Sequence, residues 1–169
     1  LRDFLKWIQG IFSNSDSNEK KKKSGTLMSR MVKDQTILYN SETYNLGIEQ
    51  FDGNLNDILS MCKENNIPVI ISTLSSNLKD QTPFVSLESD KLPKASDIYN
   101  EAVSKISDTK EALKLFRYAK DLDGLRFRAP SKINEIIIAQ AKKYNYPIVQ
   151  IDSIFNLNSP QGITGNNLM

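Results

Sequence analysis

The sequence predicts an α/β chain built on parallel strands, and three observations carry that prediction. First, a helical stripe followed by Asn, Pro and an apolar strand occurs twice, around Asn66-Ile67-Pro68 and again around Asn145-Tyr146-Pro147. Second, the run 69–84 (VIISTLSSNLKDQTPF) begins as an apolar β-branched strand and stops in a cluster of small polar residues. In α/β proteins that is where a strand's carboxyl end opens onto a site. Third, 169 residues with 39% hydrophobic and 25% charged content suffice for one domain with a real core.

The chain opens on Leu1 rather than Met and enters an amphipathic pattern at once, which reads as a piece of a longer protein. Asp3 can cap a helix whose Phe4, Ile8, Ile11 and Phe12 share one side, with Leu5 and Trp7 beside them. Residues 13–25 (SNSDSNEKKKKSG) contain no apolar side chain, cannot offset their ordering entropy, and read as a flexible linker. A short helix over 26–33 and an extended segment over 36–39 follow.

From Ser41 onward, Tyr44, Ile48, Phe51, Leu55, Ile58 and Cys62 recur at spacings of three or four, the stripe of a helix on a core. Asn65 and Asn66 end it, since Asn tolerates the left-handed turn after a helix. A strand over 67–74 follows, with Pro68 at its start, where a missing N–H is tolerated. Ala95, Ile98, Tyr99, Ala102, Val103 and Ile106 form one further stripe, and Ala112, Leu113, Phe116, Ala119 and Leu122 the next, with Asp108 and Glu111 as a capping box. This hairpin over 95–122 reads as an insertion, and its alternation of Ala with Tyr and Phe suggests either one tetratricopeptide-like unit or a plain packed pair. Ile133, Ile136, Ile137, Gln140, Ala141 and Tyr144 make the last stripe before a strand over 148–151. The two strands are expected side by side, parallel and buried on both faces. The domain reading is thus a single α/β domain, or a fragment of one, over 1–169.

A right-handed crossover places the carboxyl ends of both strands and the N-terminus of the intervening helix at one edge of the sheet. Residues 73–80, 125–134 and 152–169 are therefore expected to meet there. Arg126 and Arg128 bracket Phe127 next to a helix start at Pro130 and Ser131, which suits a carboxylate or phosphate-like ligand. Alternatively they pair with Asp80, Asp121 or Asp123 and hold the loops. Asn77 and Asp80 serve either the site or a turn. Pro83 and Phe84 read as packing that pins the loop. Asp152 is a site carboxylate or, the preferred reading, an N-cap for 154–157. Ser159, Pro160, Gly162 and Gly165 form a turn-rich rim.

Several function classes are excluded or disfavoured. Net charge is +2 with the basic excess gathered at Lys20 to Lys23, so no nucleic-acid partner is expected. No apolar run reaches membrane-spanning length, and no signal-peptide pattern opens the chain. There is no histidine, and the one cysteine, Cys62, lies on a helix stripe as a small hydrophobe. Neither a metal site nor a cofactor is expected. Ser75 or Ser76 with Lys79 forms a poor acyl-transfer pair, because adjacent loop residues desolvate a lysine too little.

FDGNLNDIL (51–59), PVIISTLSSNLKDQTPF (68–84), AKDLDGLRFRAPSKIN (119–134) and SPQGITGNNLM (159–169) carry a family resemblance. In that order they resemble the C-terminal portion of bacterial SGNH/GDSL-type hydrolases, in the branch carrying tetratricopeptide-like helices. The resemblance implies a flavodoxin-like three-layer α/β sandwich, here its C-terminal part, acting on esters. It also implies a serine nucleophile from an early strand-to-helix turn, a glycine and an asparagine as oxyanion donors, and a late D-x-x-H-type base. No GDS-like serine or glycine-asparagine block can be placed in 1–39, and the chain stops at Met169 where the histidine segment would begin. No catalytic residue carries over; Asn77, Asp80, Arg126 and Arg128 stand as candidates for lining or bracing a pocket for a small-molecule or acylated substrate. The expected function is one wall of an ester hydrolase, inactive as this chain alone. The alternatives are an O-acyltransferase, or a scaffold binding a protein partner through the helical pair.

Overall fold

The computed structural model describes residues 35–169. The readings made on 1–33, including the 13–25 linker, lie outside the described residues. Among those described, five α-helices surround one two-stranded parallel sheet, so the chain is mostly helical. This overturns the α/β fold class and the flavodoxin-like three-layer sandwich.

Helix α1 (Glu42–Glu64) starts at Ser41, whose hydroxyl accepts from Tyr44 N–H at 3.2 Å. Its buried face includes Tyr44 and Leu59, whereas Ile58 is 57% exposed, so the C-terminal half faces the core about one residue round from the expected stripe. Helix α1 packs on α4 (Ser131–Tyr144) with polar groups set into the interface. The Gln140 amide donates to Asp52, and Tyr144 OH donates to Asn56 Oδ1 at 2.8 Å. The two helices end alike. Asn66 and Asn145 both take φ 56°, and the next N–H reaches back five residues, Ile67 to Cys62 O at 2.8 Å and Tyr146 to Ala141 O at 2.9 Å. That is the Schellman closure, in which a left-handed residue turns the chain while satisfying a helix-end carbonyl.

Each closure delivers a proline and then a strand. Strand β1 (Ile71–Ser72) pairs in parallel with β2 (Ile148–Val149), with Ile71 opposite Ile148. Ile71 N–H donates to Pro147 O at 3.0 Å and Thr73 N–H to Val149 O at 3.1 Å. The expected strands over 67–74 and 148–151 are therefore much shorter. Pro68 and Pro147 bring no N–H to the ladder's entry, and the chain enters α5 (Ile151–Leu157) two residues after the end of β2. Burial on both faces is also corrected: Ile70 is 75% exposed and Val149 39%. Two strands alone give helices too little sheet to cover. The segment 36–39 forms no strand; Ile37 N–H instead donates to Gly124 O at 2.9 Å.

Helices α2 (Ala95–Ser104) and α3 (Thr109–Leu122) pack as a hairpin. Ala102, Ala112 and Ala119 are wholly buried, and their small side chains let the helix surfaces approach closely. Phe116 fills the space left between them and meets the Tyr99 ring edge-on at 5.3 Å. Asp108 caps α3 by accepting from Glu111 N–H at 3.2 Å. Leu78, from the loop after β1, and Ile163, after the 3-10 turn Pro160–Gly162, complete this core. The hairpin thereby fixes the two loops that border the sheet's carboxyl edge.

The left-handed closures are testable. Asn145→Ala lowers stability by about 1–2 kcal/mol, the cost of placing a Cβ-bearing residue without a local polar group there, while Asn145→Gly leaves it nearly unchanged; urea unfolding midpoints distinguish the two.

Candidate functional site

The parallel pairing brings three distant segments to one edge, and a cavity of about 200 Å³ lies there. Ser75 and Ser76 come from the loop after β1, Ser131 and Asn134 from the first turn of α4, and Asp152 from the first turn of α5. Helix α3 adds Arg117 and Lys120, which sequence reasoning missed. Their spacing of three puts both on one helix face, the available signal. Lys120 follows Phe116 by four residues and Arg117 follows Leu113 by four, so both run along the flank of the apolar stripe, where spacing alone does not separate a buried lysine from one that reaches solvent.

Side-chain hydrogen bonds tie the segments of the cavity's frame together. Asn134 donates its amide to Leu74 O and accepts Leu74 N–H on its carbonyl, both at 2.8 Å, so α4 is clipped to the end of β1. Thr73 Oγ1 donates to Asp152 Oδ1 at 2.6 Å, and Arg117 approaches Asp152 Oδ2 at 3.4 Å. Asp152 is thus no N-cap. Helix α5 starts one residue before it, after Gln150, and its carboxylate bridges the ends of the two strands to α3. The N-terminus of α4 has no cap from its own chain segment; Asp121 Oδ1, at the end of α3, accepts Ser131 N–H at 2.8 Å.

The four candidate residues occupy defined places. Arg126 donates to Asp121 O at 2.6 Å and Ile37 O at 2.8 Å, and its guanidinium stands 5.0 Å from the Tyr44 ring centroid. Arg128 donates to Asn77 O at 3.0 Å and Gln81 O at 2.9 Å, and lies 3.4 Å from Asp123 Oδ2. Burial lowers both guanidinium pKa values from the ordinary arginine value. The donor bonds of both arginines run to backbone carbonyls, one at the end of α3 and three in loops, and to a buried carboxylate. Asn77 closes a turn by accepting Asp80 N–H at 3.0 Å and donates to Asn166 Oδ1 at 2.7 Å. Asp80 Oδ2 accepts Asn166 N–H at 2.7 Å. These bonds staple the loop after β1 to the exit segment, where a Cβ on Gly165 would come within 2.2 Å of Asp80. Asn77 and Arg128 also border a second, shallower concavity of about 450 Å³ with Ser76, Phe127 and Ala129; Arg126 lines neither.

Asp123, named in the sequence only as a possible arginine partner, is the hub of this region. It is 2% exposed and accepts Phe84 N–H and Val85 N–H at 2.9 Å each and Leu125 N–H at 3.1 Å, beside Arg128. Packing by Pro83 and Phe84, the pins the sequence suggests for this loop, is not what holds it: Phe84 is 50% exposed, resting edge-on against Phe127 at 5.5 Å. The backbone, through Asp123, is what holds it.

Comparison with known proteins returns no match: no protein family, no curated protein and no solved structure matches this chain. The resemblance to SGNH/GDSL hydrolases therefore rests on its residue blocks alone. Among the described residues no cluster of His, Cys, Asp and Glu could hold a metal ion, and no helix is long and apolar enough to cross a membrane.

Two outcomes follow from the buried charges. Asp123→Ala leaves the buried Arg128 guanidinium without its counter-charge and three backbone N–H groups without an acceptor, and lowers stability by about 3–5 kcal/mol in urea unfolding; Asp123→Asn costs less, because its amide oxygen still accepts. Burial, reinforced by the charge of Asp121, pushes the Tyr44 phenol from 10.0 up to about 12. The folded state then keeps a proton that the unfolded chain loses, so the stabilisation is complete below about pH 10 and disappears as pH rises toward 12. Tyr44→Phe flattens that part of the decline in a pH series of urea midpoints.

Proposed function

We propose that this chain supplies one wall of the substrate pocket of an SGNH/GDSL-type ester hydrolase, with the nucleophile and the general base supplied by residues outside it. The observation that carries the reading is the cavity at the carboxyl edge of β1 and β2, where serines, a lysine and an arginine from separate segments face one space. Acyl transfer requires a nucleophile, a proton acceptor and donors for the developing oxyanion. The chain has no histidine to act as acceptor. Many of its polar groups at the edge are committed to bracing, as the bonds of Asn77, Asp80, Arg126, Arg128 and Asn134 show. A pocket wall needs that rigidity, since an ester must be held against groups it does not carry itself.

The scaffold alternative draws less support. The small and aromatic residues of α2 and α3 that could present a partner surface, Ala102, Ala112 and Phe116, are buried against Leu78 and Ile163. An O-acyltransferase would use the same wall and differ in the acyl acceptor.

The purified chain leaves p-nitrophenyl butyrate intact in a release assay at 405 nm, a wavelength set by the p-nitrophenolate product. A longer product of the same gene, carrying a GDS-like serine and a downstream histidine, hydrolyses it. Turnover by the isolated chain, or a longer product without either motif and without turnover, overturns the reading.

A further inference from the structure

The cavity holds a pairing of groups that ester hydrolysis as such does not demand: two cations beside an apolar wall. The Lys120 side chain is 7% exposed and its ammonium lies 3.6 Å from Asp121 Oδ1, beyond ordinary hydrogen-bond distance. That oxygen already accepts Ser131 N–H at 2.8 Å. Burial lowers the Lys120 pKa from the ordinary lysine value, so the folded protein bears a cost for keeping the charge there. Arg117 approaches Asp152 at 3.4 Å, which engages one of its five N–H groups. Ser131 Oγ is buried and has no hydrogen-bond partner among the described residues. Glu135, on the same lining, is drawn to Lys132 at 2.8 Å.

The lining also has an apolar part: Leu74 and Ile138, 47% and 40% exposed, and the buried Leu78. Cations with spare donors beside aliphatic side chains suit a ligand with one anionic end and one alkyl end. The acidic Asp152 and Glu135 on the lining disfavour a dianion such as phosphate.

We propose that this cavity binds a short-chain carboxylate, its carboxylate held by Lys120 and Arg117 with the Ser131 hydroxyl as a further donor, and its alkyl chain lying on Leu74 and Ile138. The inference rests on the hydrolase reading for the ligand's role, which would be the acid released from a short acyl ester. The binding step stands without it. No bond is made or broken in that step.

The test titrates butyrate into the 169-residue chain and follows amide signals of Ser75, Ser76 and Ser131 by NMR, with inorganic phosphate as the second probe. Butyrate shifts those signals saturably and phosphate binds more weakly. Lys120→Met weakens butyrate binding by about tenfold or more, the loss of one charge-assisted hydrogen bond. Absence of butyrate binding, tighter binding of phosphate, or a folded Lys120→Met variant with unchanged affinity overturns the proposal. Should Lys120→Met fail to fold, Arg117→Gln at its part-exposed position decides: weakened butyrate binding supports the site and unchanged binding overturns it. Butyrate binding without ester turnover by the longer gene product sinks the hydrolase reading alone, whereas turnover without butyrate binding sinks this inference alone.

Discussion

The carboxylate of Asp123 is the constraint on which the cavity's shape depends. It ends α3, collects three backbone N–H groups from two loops, and faces the buried guanidinium of Arg128. An ion taken so far out of water is tolerable when hydrogen bonds meet its lone pairs, and then it tolerates few rearrangements. Arg128 passes the constraint on, because its other donors fix Asn77 and Gln81 in the loop after β1. That loop in turn is stapled to residues 164–166. One side chain thereby sets the relative positions of α3, the loop after β1 and the exit segment.

The second organising device is repetition at the level of the helix end. Two Schellman closures through Asn66 and Asn145 aim two chain segments in the same direction, and the strands pair as a consequence. The ladder is short, yet its ends are reinforced by side chains: Asn134 on Leu74 and Asp152 on Thr73. Side-chain bonds thus do at this edge what further strands do in a larger sheet. The polar groups that line the cavity are held by the same bonds that hold the fold, which links packing directly to the proposed site.

Neighbouring helices also substitute for local signals. The start of α4 is capped by Asp121 from α3, and the charge of Asp121 also adds to the burial that raises the Tyr44 phenol and is the nearest counter-charge of Lys120. The three consecutive residues Lys120, Asp121 and Leu122 therefore serve the cavity, the cap and the core respectively. A helix end can do this because its last turn presents successive side chains in directions about 100° apart.

Helix stripes, the capping of α3 by Asp108, the two asparagine closures and the meeting of three segments at one edge were legible in the sequence, because each depends on residues a few positions apart or on chain handedness. Ile58 was misplaced because a stripe read from apolar spacing alone shifts by one residue where polar groups such as Asp52 and Asn56 enter the interface. The fold class was misread because β-branched runs record only a preference for extended backbone, while the length of a ladder depends on what pairs with it. Nor could spacing show that Arg126 and Arg128 turn toward carbonyls, that Asp123 is the hub, or that Lys120 reaches the cavity. The sequence by itself determined the start of α3 at Asp108, the ends of α1 and α4 at their asparagines, and which segments approach one another, since those follow from local backbone chemistry and chain handedness. Only the tertiary structure decided which charges are buried and what they face, because desolvation and pairing are properties of the packed surroundings rather than of the residue.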